Sequence, residues 1–182
     1  MDIFLINFKN IHIGKNKIEI NAFQKANSRI FLKQILNSYY NIFDEILQDN
    51  NKPYLKNSKL NFIISHSNNL FVYAFDKNTI GIDAELKRNL NYKKILKKYN
   101  LDENKYSLCD FFQLWTIFEA EYKSKIKQDV FSFDYENYTV SVSYKNETET
   151  NIYEIISFDN KLELKNLKNI NPVFLPKIQA RI

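Results

Sequence analysis

Ile80-Gly81-Ile82-Asp83-Ala84-Glu85 closes an apolar run with two carboxylates spaced two residues apart. Side chains alternate across a strand, so Ile80, Ile82 and Ala84 turn toward a core while Gly81, Asp83 and Glu85 share the opposite face. Two carboxylates offered from one side of a strand are what a divalent cation site needs. Gly81 is one of only two glycines in the chain. Inside a strand a glycine forfeits packing, which points to a backbone that something approaches closely. The plainer alternative is a strand end with solvated acids, since clustered acids mark function only in part of the cases.

Working outward, Asn61 to Ser65, Leu70 to Phe75 and Thr79 to Ala84 read as three strands joined at Asn68-Asn69 and Lys77-Asn78, an antiparallel meander. Ile3 to Phe8 is short and apolar and reads as a buried strand. The spacing of Ile30, Phe31, Ile35, Leu36, Tyr39 and Ile42 predicts a helix over Ala22 to Leu47, and Asp49 to Asn57, with Pro53, reads as a loop. Downstream, Tyr92 to Tyr99 is a short basic helix. Leu108 to Lys127 is a longer one, with Phe111, Leu114, Trp115, Phe118 and Tyr122 on its apolar face. Tyr138 to Tyr144, Ile152 to Phe158 and Lys161 to Leu167 are β-prone, before a tail containing Pro172 and Pro176. This order of elements predicts an α+β fold.

The chain has 182 residues, 45% hydrophobic and 15% aromatic, enough for one buried core or two small lobes packed together. Its formal charge of +5 is spread along the chain, with arginine only at Arg29, Arg88 and Arg181. That balance suits an acidic protein or a phosphorylated small molecule as well as nucleic acid. A single cysteine, Cys109, cannot form an internal disulfide or a thiolate metal site, and points to a reducing compartment. The first residues carry no basic-then-apolar leader pattern and no run of about 18 apolar residues occurs. The expectation is a cytoplasmic protein with no membrane association.

Two further elements carry chemistry. Glu119 and Lys123 lie one turn apart at the border of the apolar face of the longer helix, where packing can fix a side chain that still reaches a ligand. An ordinary i,i+4 ion pair, contributing about 0.3 to 0.5 kcal/mol, is the simpler account. Ser65-His66-Ser67 ends a strand one hairpin before the acidic one, so His66 can lie near Asp83. A hydrogen-bonded structural histidine is the simpler account there.

Taken in order, Lys52-Pro53, then Asn61-Phe62-Ile63-Ile64-Ser65-His66-Ser67, then Ile80-Gly81-Ile82-Asp83-Ala84-Glu85, then Leu114-Trp115-Thr116-Ile117-Phe118-Glu119-Ala120-Glu121-Tyr122-Lys123 resemble the Sfp-type 4'-phosphopantetheinyl transferases. The resemblance spans about Asn51 to Lys127. It implies two similar α+β lobes, each a small antiparallel sheet with a long helix, divided as residues 1–76 and 77–182, the second carrying most metal ligands. It implies transfer of the 4'-phosphopantetheine arm of coenzyme A to a serine of an acyl or peptidyl carrier protein. Asp83, Glu85 and Glu119 would hold Mg²⁺, and Lys123 a phosphate oxygen or the leaving group. Arg29, Lys52, Ser65 and His66 would meet the nucleotide end of coenzyme A, with Lys123 completing that set. Glu119 and Lys123 would be catalytic, with Glu103, or else Asp102, in roughly the place where some members have a base. A monomer is the natural state for two lobes in one chain.

The chain departs from the family pattern at Phe118, where lysine is usual, and in Ser124 to Val130, which lacks the usual glycines. The angular position of Phe118 makes it a core residue. Two other readings stay open. One is a non-catalytic descendant that binds coenzyme A or a carrier protein. The other is a metal-dependent nuclease built on Asp83 with Glu121-Tyr122-Lys123, although that pattern wants a strand and here falls on a helix.

Overall fold

The computed structural model describes residues 1–8, 16–50, 52–125, 129–145, 149–157, 162–168, 170 and 173–175. Along the chain these form β1 (Asp2–Asn7), α1 (Lys17–Tyr40), β2 (Ile46–Asp49), β3 (Lys52–Leu55), β4 (Asn61–Ser67), β5 (Leu70–Asp76) and β6 (Ile80–Leu86). Then come α2 (Tyr92–Lys98), α3 (Leu108–Ser124), β7 (Asp129–Tyr135), β8 (Tyr138–Tyr144), β9 (Asn151–Ser157), β10 (Glu163–Asn166) and β11 (Val173–Leu175). The protein is α+β, as expected.

Helix ends follow their caps. The Asn16 side chain accepts from the Ile18 and Glu19 amides, and Asn41, left-handed at φ 54°, closes α1 with its N–H on the Leu36 carbonyl. α1 therefore starts before Ala22 and stops short of Leu47, and residues 46–49 become β2. Its buried stripe is Gln24, Phe31, Leu32, Ile35 and Leu36; Ile30 and Tyr39, expected on the apolar face, lie exposed. At α3, Ser107 and Asp110 form a reciprocal capping box, and Lys125 at φ 60° ends the helix. The expected last residue, Lys127, lies outside the described residues.

The strands form a five-stranded sheet in the order β10-β9-β1-β5-β4, a four-stranded sheet β11-β7-β8-β6, and the two-stranded hairpin β2-β3. Alternation splits the apolar residues of β1 and β5. Ile3, Leu5, Leu70, Val72 and Ala74 face a core shared with Ile82, Ala84, Phe131, Val140 and Val142 of the four-stranded sheet. Phe4, Ile6, Phe71, Tyr73 and Phe75 face α1. In layers, the molecule runs α1, five-stranded sheet, shared core, four-stranded sheet, α3.

The expected meander is corrected. β4 and β5 pair antiparallel, but β6 pairs with β8 and belongs to the other sheet. Its Ile80, Ile82 and Ala84 bury against the same shared core as β5, so face-to-face packing takes the place of a ladder. The five-stranded sheet also draws β9 and β10 from beyond residue 77, and β1 runs parallel to β9. No helix among the described residues is long and apolar enough to cross a membrane.

Candidate functional site

α3 lies close on β6. A Cβ built on Gly81 would run into the Ala120 carbonyl and stand 2.9 Å from the Ser124 amide nitrogen, so only glycine fits beneath the helix. This is the close backbone approach that Gly81 suggests in the sequence. Around it the contact is made of hydroxyls. Thr116 Oγ1 and Ser141 Oγ are 2.7 Å apart, Ser132 and Ser141 2.6 Å, and Ser143 Oγ donates to Ser124 Oγ at 3.3 Å. Phe111, Trp115 and Phe118 of the next helix face pack instead against the α2 side, where Phe118 is partly buried. Tyr122, expected on the apolar face, is 81% exposed.

The seating of α3 aims Lys123 at β6. Lys123 Nζ donates to Asp83 Oδ1 at 2.6 Å and to Ser65 Oγ at 3.2 Å. The i,i+4 pair with Glu119 does not form, and half-buried Glu119 has no hydrogen bond or ion pair among the described residues. Asp83 is 6% exposed, and its Oδ2 is buried without a partner among the described residues. A carboxylate oxygen left so is costly unless something outside the chain meets it.

Period two on β4 divides Ser65-His66-Ser67 between two faces. Ser65 and Ser67 point to β6, where they donate to Asp83 Oδ1 at 2.9 Å and Glu85 Oε2 at 3.1 Å. His66 turns the other way, its ring edge-on to Phe71 at 6.0 Å. Partial burial, and in lesser part the Lys123 ammonium, hold the His66 imidazole below its ordinary range. Burial, followed by the like charge of Asp83, pushes the Glu85 carboxyl above the usual carboxylate range, against the pull of Ser67, Arg88 and Lys123.

A cavity of about 570 Å³ opens between α1, the β2–β3 hairpin, β4 and the end of α3. Lys52, His66, Lys123 and Lys125 line it along with Pro53, Ile64 and Tyr122, and no carboxylate does so among the described residues. The lining suits a polyanion with an apolar portion. Arg29 stands beside the lining residue Ser28 on α1, exposed, its guanidinium donating to Gln48 of β2. Glu103 sits half-buried in the turn between α2 and α3, lines no described cavity and has no polar partner among the described residues. A second cavity, of about 390 Å³ near Lys87, Asp110 and Asp134, holds none of the expected site residues.

Lys123 thus links two groups: Asp83 and Ser65, which its ammonium touches, and Lys52 and His66, which line the cavity with it, while Glu85 follows Asp83 on the same strand. Among the described residues no three His, Cys, Asp or Glu side chains converge as a ready-made metal cage. Asp83 and Glu85 are the pair that can hold a cation, since Mg²⁺ commonly takes one or two carboxylates and completes its shell with water and phosphate. Sequence reasoning assigned no role to Ser67, Lys125 or Arg88. The period-two match of residues 65 and 67 with 83 and 85 was the signal for the first. No protein-family model matches the chain, and no curated protein is significantly similar to it.

Proposed function

We propose that this protein moves the 4'-phosphopantetheine arm of coenzyme A onto a serine hydroxyl of an acyl or peptidyl carrier protein with the help of Mg²⁺, like the Sfp-type transferases its motifs resemble. The observation that carries the reading is the 2.6 Å ion pair between Lys123 of α3 and Asp83 of β6. It joins two of the four sequence blocks beside a cavity lined by Lys52 and His66 of the other two.

Asp83 and Glu85 fit the cation on two counts. Asp83 Oδ2 is buried without a partner among the described residues, and burial, followed by the like charge of Asp83, makes the Glu85 carboxylate costly until a cation joins it. Glu119, one turn before Lys123, is the third ligand in this reading. A Mg²⁺ ion held by these residues would supply neutralisation of charge on the pyrophosphate. Lys52, Lys123, Lys125 and His66 hold and orient the phosphates, and Arg29 extends the cationic rim. As the carrier serine Oγ–P bond forms, the P–O bond to the adenosine-side phosphate breaks and adenosine 3',5'-bisphosphate leaves. The serine proton goes to a carboxylate base or its bound water. Glu103, the base implied by the resemblance, lines no described cavity, and Glu119 is taken up by the cation in this reading. With Phe118 partly buried against the α2 side, the clamp on phosphate relies on the lysines at 52, 123 and 125.

The reading carries with it the family's two similar lobes, 1–76 and 77–182. In its favour, each of the two larger sheets has one long helix on its outer face. It must also accommodate β9 and β10, which return to the first sheet. The test is direct. Incubation with coenzyme A, Mg²⁺ and an apo acyl or peptidyl carrier protein gives a carrier heavier by one phosphopantetheine arm, and chelation of Mg²⁺ prevents it. Failure to modify any carrier of either class overturns the proposal.

A further inference from the structure

We infer that Ser67, together with Ser65, is a positioning residue that clamps Glu85 and Asp83 across the seam between the two sheets and thereby sets their affinity for a divalent cation. The inference rests on the cation reading above and adds to it what holds the ligands still. β4 and β6 are edge strands of different sheets. Where they run side by side, no backbone ladder joins them among the described residues. Serine hydroxyls bridge instead, in the same pattern twice. Ser65 Oγ donates to Asp83 Oδ1 at 2.9 Å and accepts the Ala84 N–H at 3.3 Å. Two residues on, Ser67 Oγ donates to Glu85 Oε2 at 3.1 Å and accepts the Leu86 N–H at 3.0 Å.

A hydroxyl has a single proton to give. Both protons are committed to carboxylates, so each serine fixes one oxygen of its partner and leaves the other free for a cation. At Asp83 that other oxygen is the buried, unpartnered Oδ2. The backbone bonds to Ala84 and Leu86 lock the two hydroxyls in turn, so neither can rotate away without leaving an amide unpaired. Outer groups that orient metal ligands in this way typically govern affinity by roughly 10- to 100-fold.

Mn²⁺ uptake by the full chain, followed by calorimetry or electron paramagnetic resonance well below the unfolding temperature, tests the idea. Ser67→Ala is expected to bind Mn²⁺ about tenfold more weakly than wild type, and Ser67→Thr, which keeps the hydroxyl, to recover most of that loss. Ser143→Ala removes a buried hydroxyl that touches no carboxylate. It is expected to lower stability and leave Mn²⁺ affinity as it was. If Ser67→Ala fails to fold, Ser67→Cys, with its weak donor, carries the same expectation. Equal affinity in wild type and Ser67→Ala, or an equal loss in Ser143→Ala, overturns the role of Ser67 while the cation site stands. A wild-type chain that takes up no Mn²⁺ removes the cation site itself, and the inference with it.

Discussion

Two long helices each cover a sheet, and they do it with opposite materials. α1 rests on rings: Phe31 meets Phe71 edge-on at 5.4 Å and stacks on Phe8 at 5.3 Å, with Phe4, Tyr73 and Phe75 buried beside them. α3 sets its own Thr116, Ala120 and Ser124 against Gly81 and the hydroxyls of Ser132, Ser141 and Ser143. Large rings bury more apolar area, and their pairs add about 0.5 to 1.5 kcal/mol each. Small residues bring backbones together and leave little room for a helix to slide. The first contact stabilises the fold, and the second fixes the position of α3. α3 carries Lys123, whose ammonium must meet Asp83 of β6 to within hydrogen-bond distance.

If that division is right, the two contacts should respond differently to substitution. Phe71→Ala should cost about 3 to 5 kcal/mol in urea unfolding, with Phe71→Leu recovering much of it because rings can be replaced by other bulk. Gly81→Ala should cost about 3 kcal/mol for a single methyl, because the added carbon meets helix backbone that cannot turn aside. A loss under about 1 kcal/mol there would mean that α3 is free to shift. Thr116→Val keeps the shape and deletes the hydroxyl shared with Ser141, for an expected loss of about 1 to 2 kcal/mol.

The smallest effect lies where the two contacts meet, at His66, which touches Phe71 on one side and senses Lys123 on the other. Its folded pKa lies below the unfolded value, so an unfolded chain takes the proton first. Stability is therefore lost as pH falls from the ordinary histidine pKa of about 6.5 toward the folded value. Lys123→Met should raise the His66 pKa, measured by NMR, without restoring it fully, since burial is the larger cause. An unchanged titration would show that Lys123 does not reach the imidazole.

Local chemistry made part of this legible in the sequence. β4, β5 and β8 announce themselves by β-branched and aromatic runs between turn residues, and α3 starts at Leu108 as its apolar spacing predicts. Alternation fixed the shared face of Asp83 and Glu85 without knowledge of the fold, whereas on β4 the expectation fell on His66 and it is Ser65 and Ser67 that meet them. What failed depended on partners far away. A turn such as Lys77-Asn78 serves a hairpin or a passage to a second sheet equally well, and only the shared core decides between them. β7 begins two residues beyond the expected helix end at Lys127 and was not among the expected strands, although its Val130, Phe131, Phe133 and Tyr135 are β-prone. Pro53 argued for a loop, yet proline is admissible in a strand lying outside the larger sheets, as β3 does. Tyr122 fits the helical period, but the small residues of β6 draw α3 down on another face.

The parallel pairing of β1 with β9 bears on the order in which the chain can fold. Asp2 finds its neighbour at Asn151, so the centre of the five-stranded sheet closes only after most of the chain has been synthesised. Hairpins such as β4–β5 and β7–β8 close short loops and can form early, whereas joining β1 to β9 must overcome the entropy of a loop spanning most of the protein. Until then β1 presents one open backbone edge, which β9 covers when it arrives.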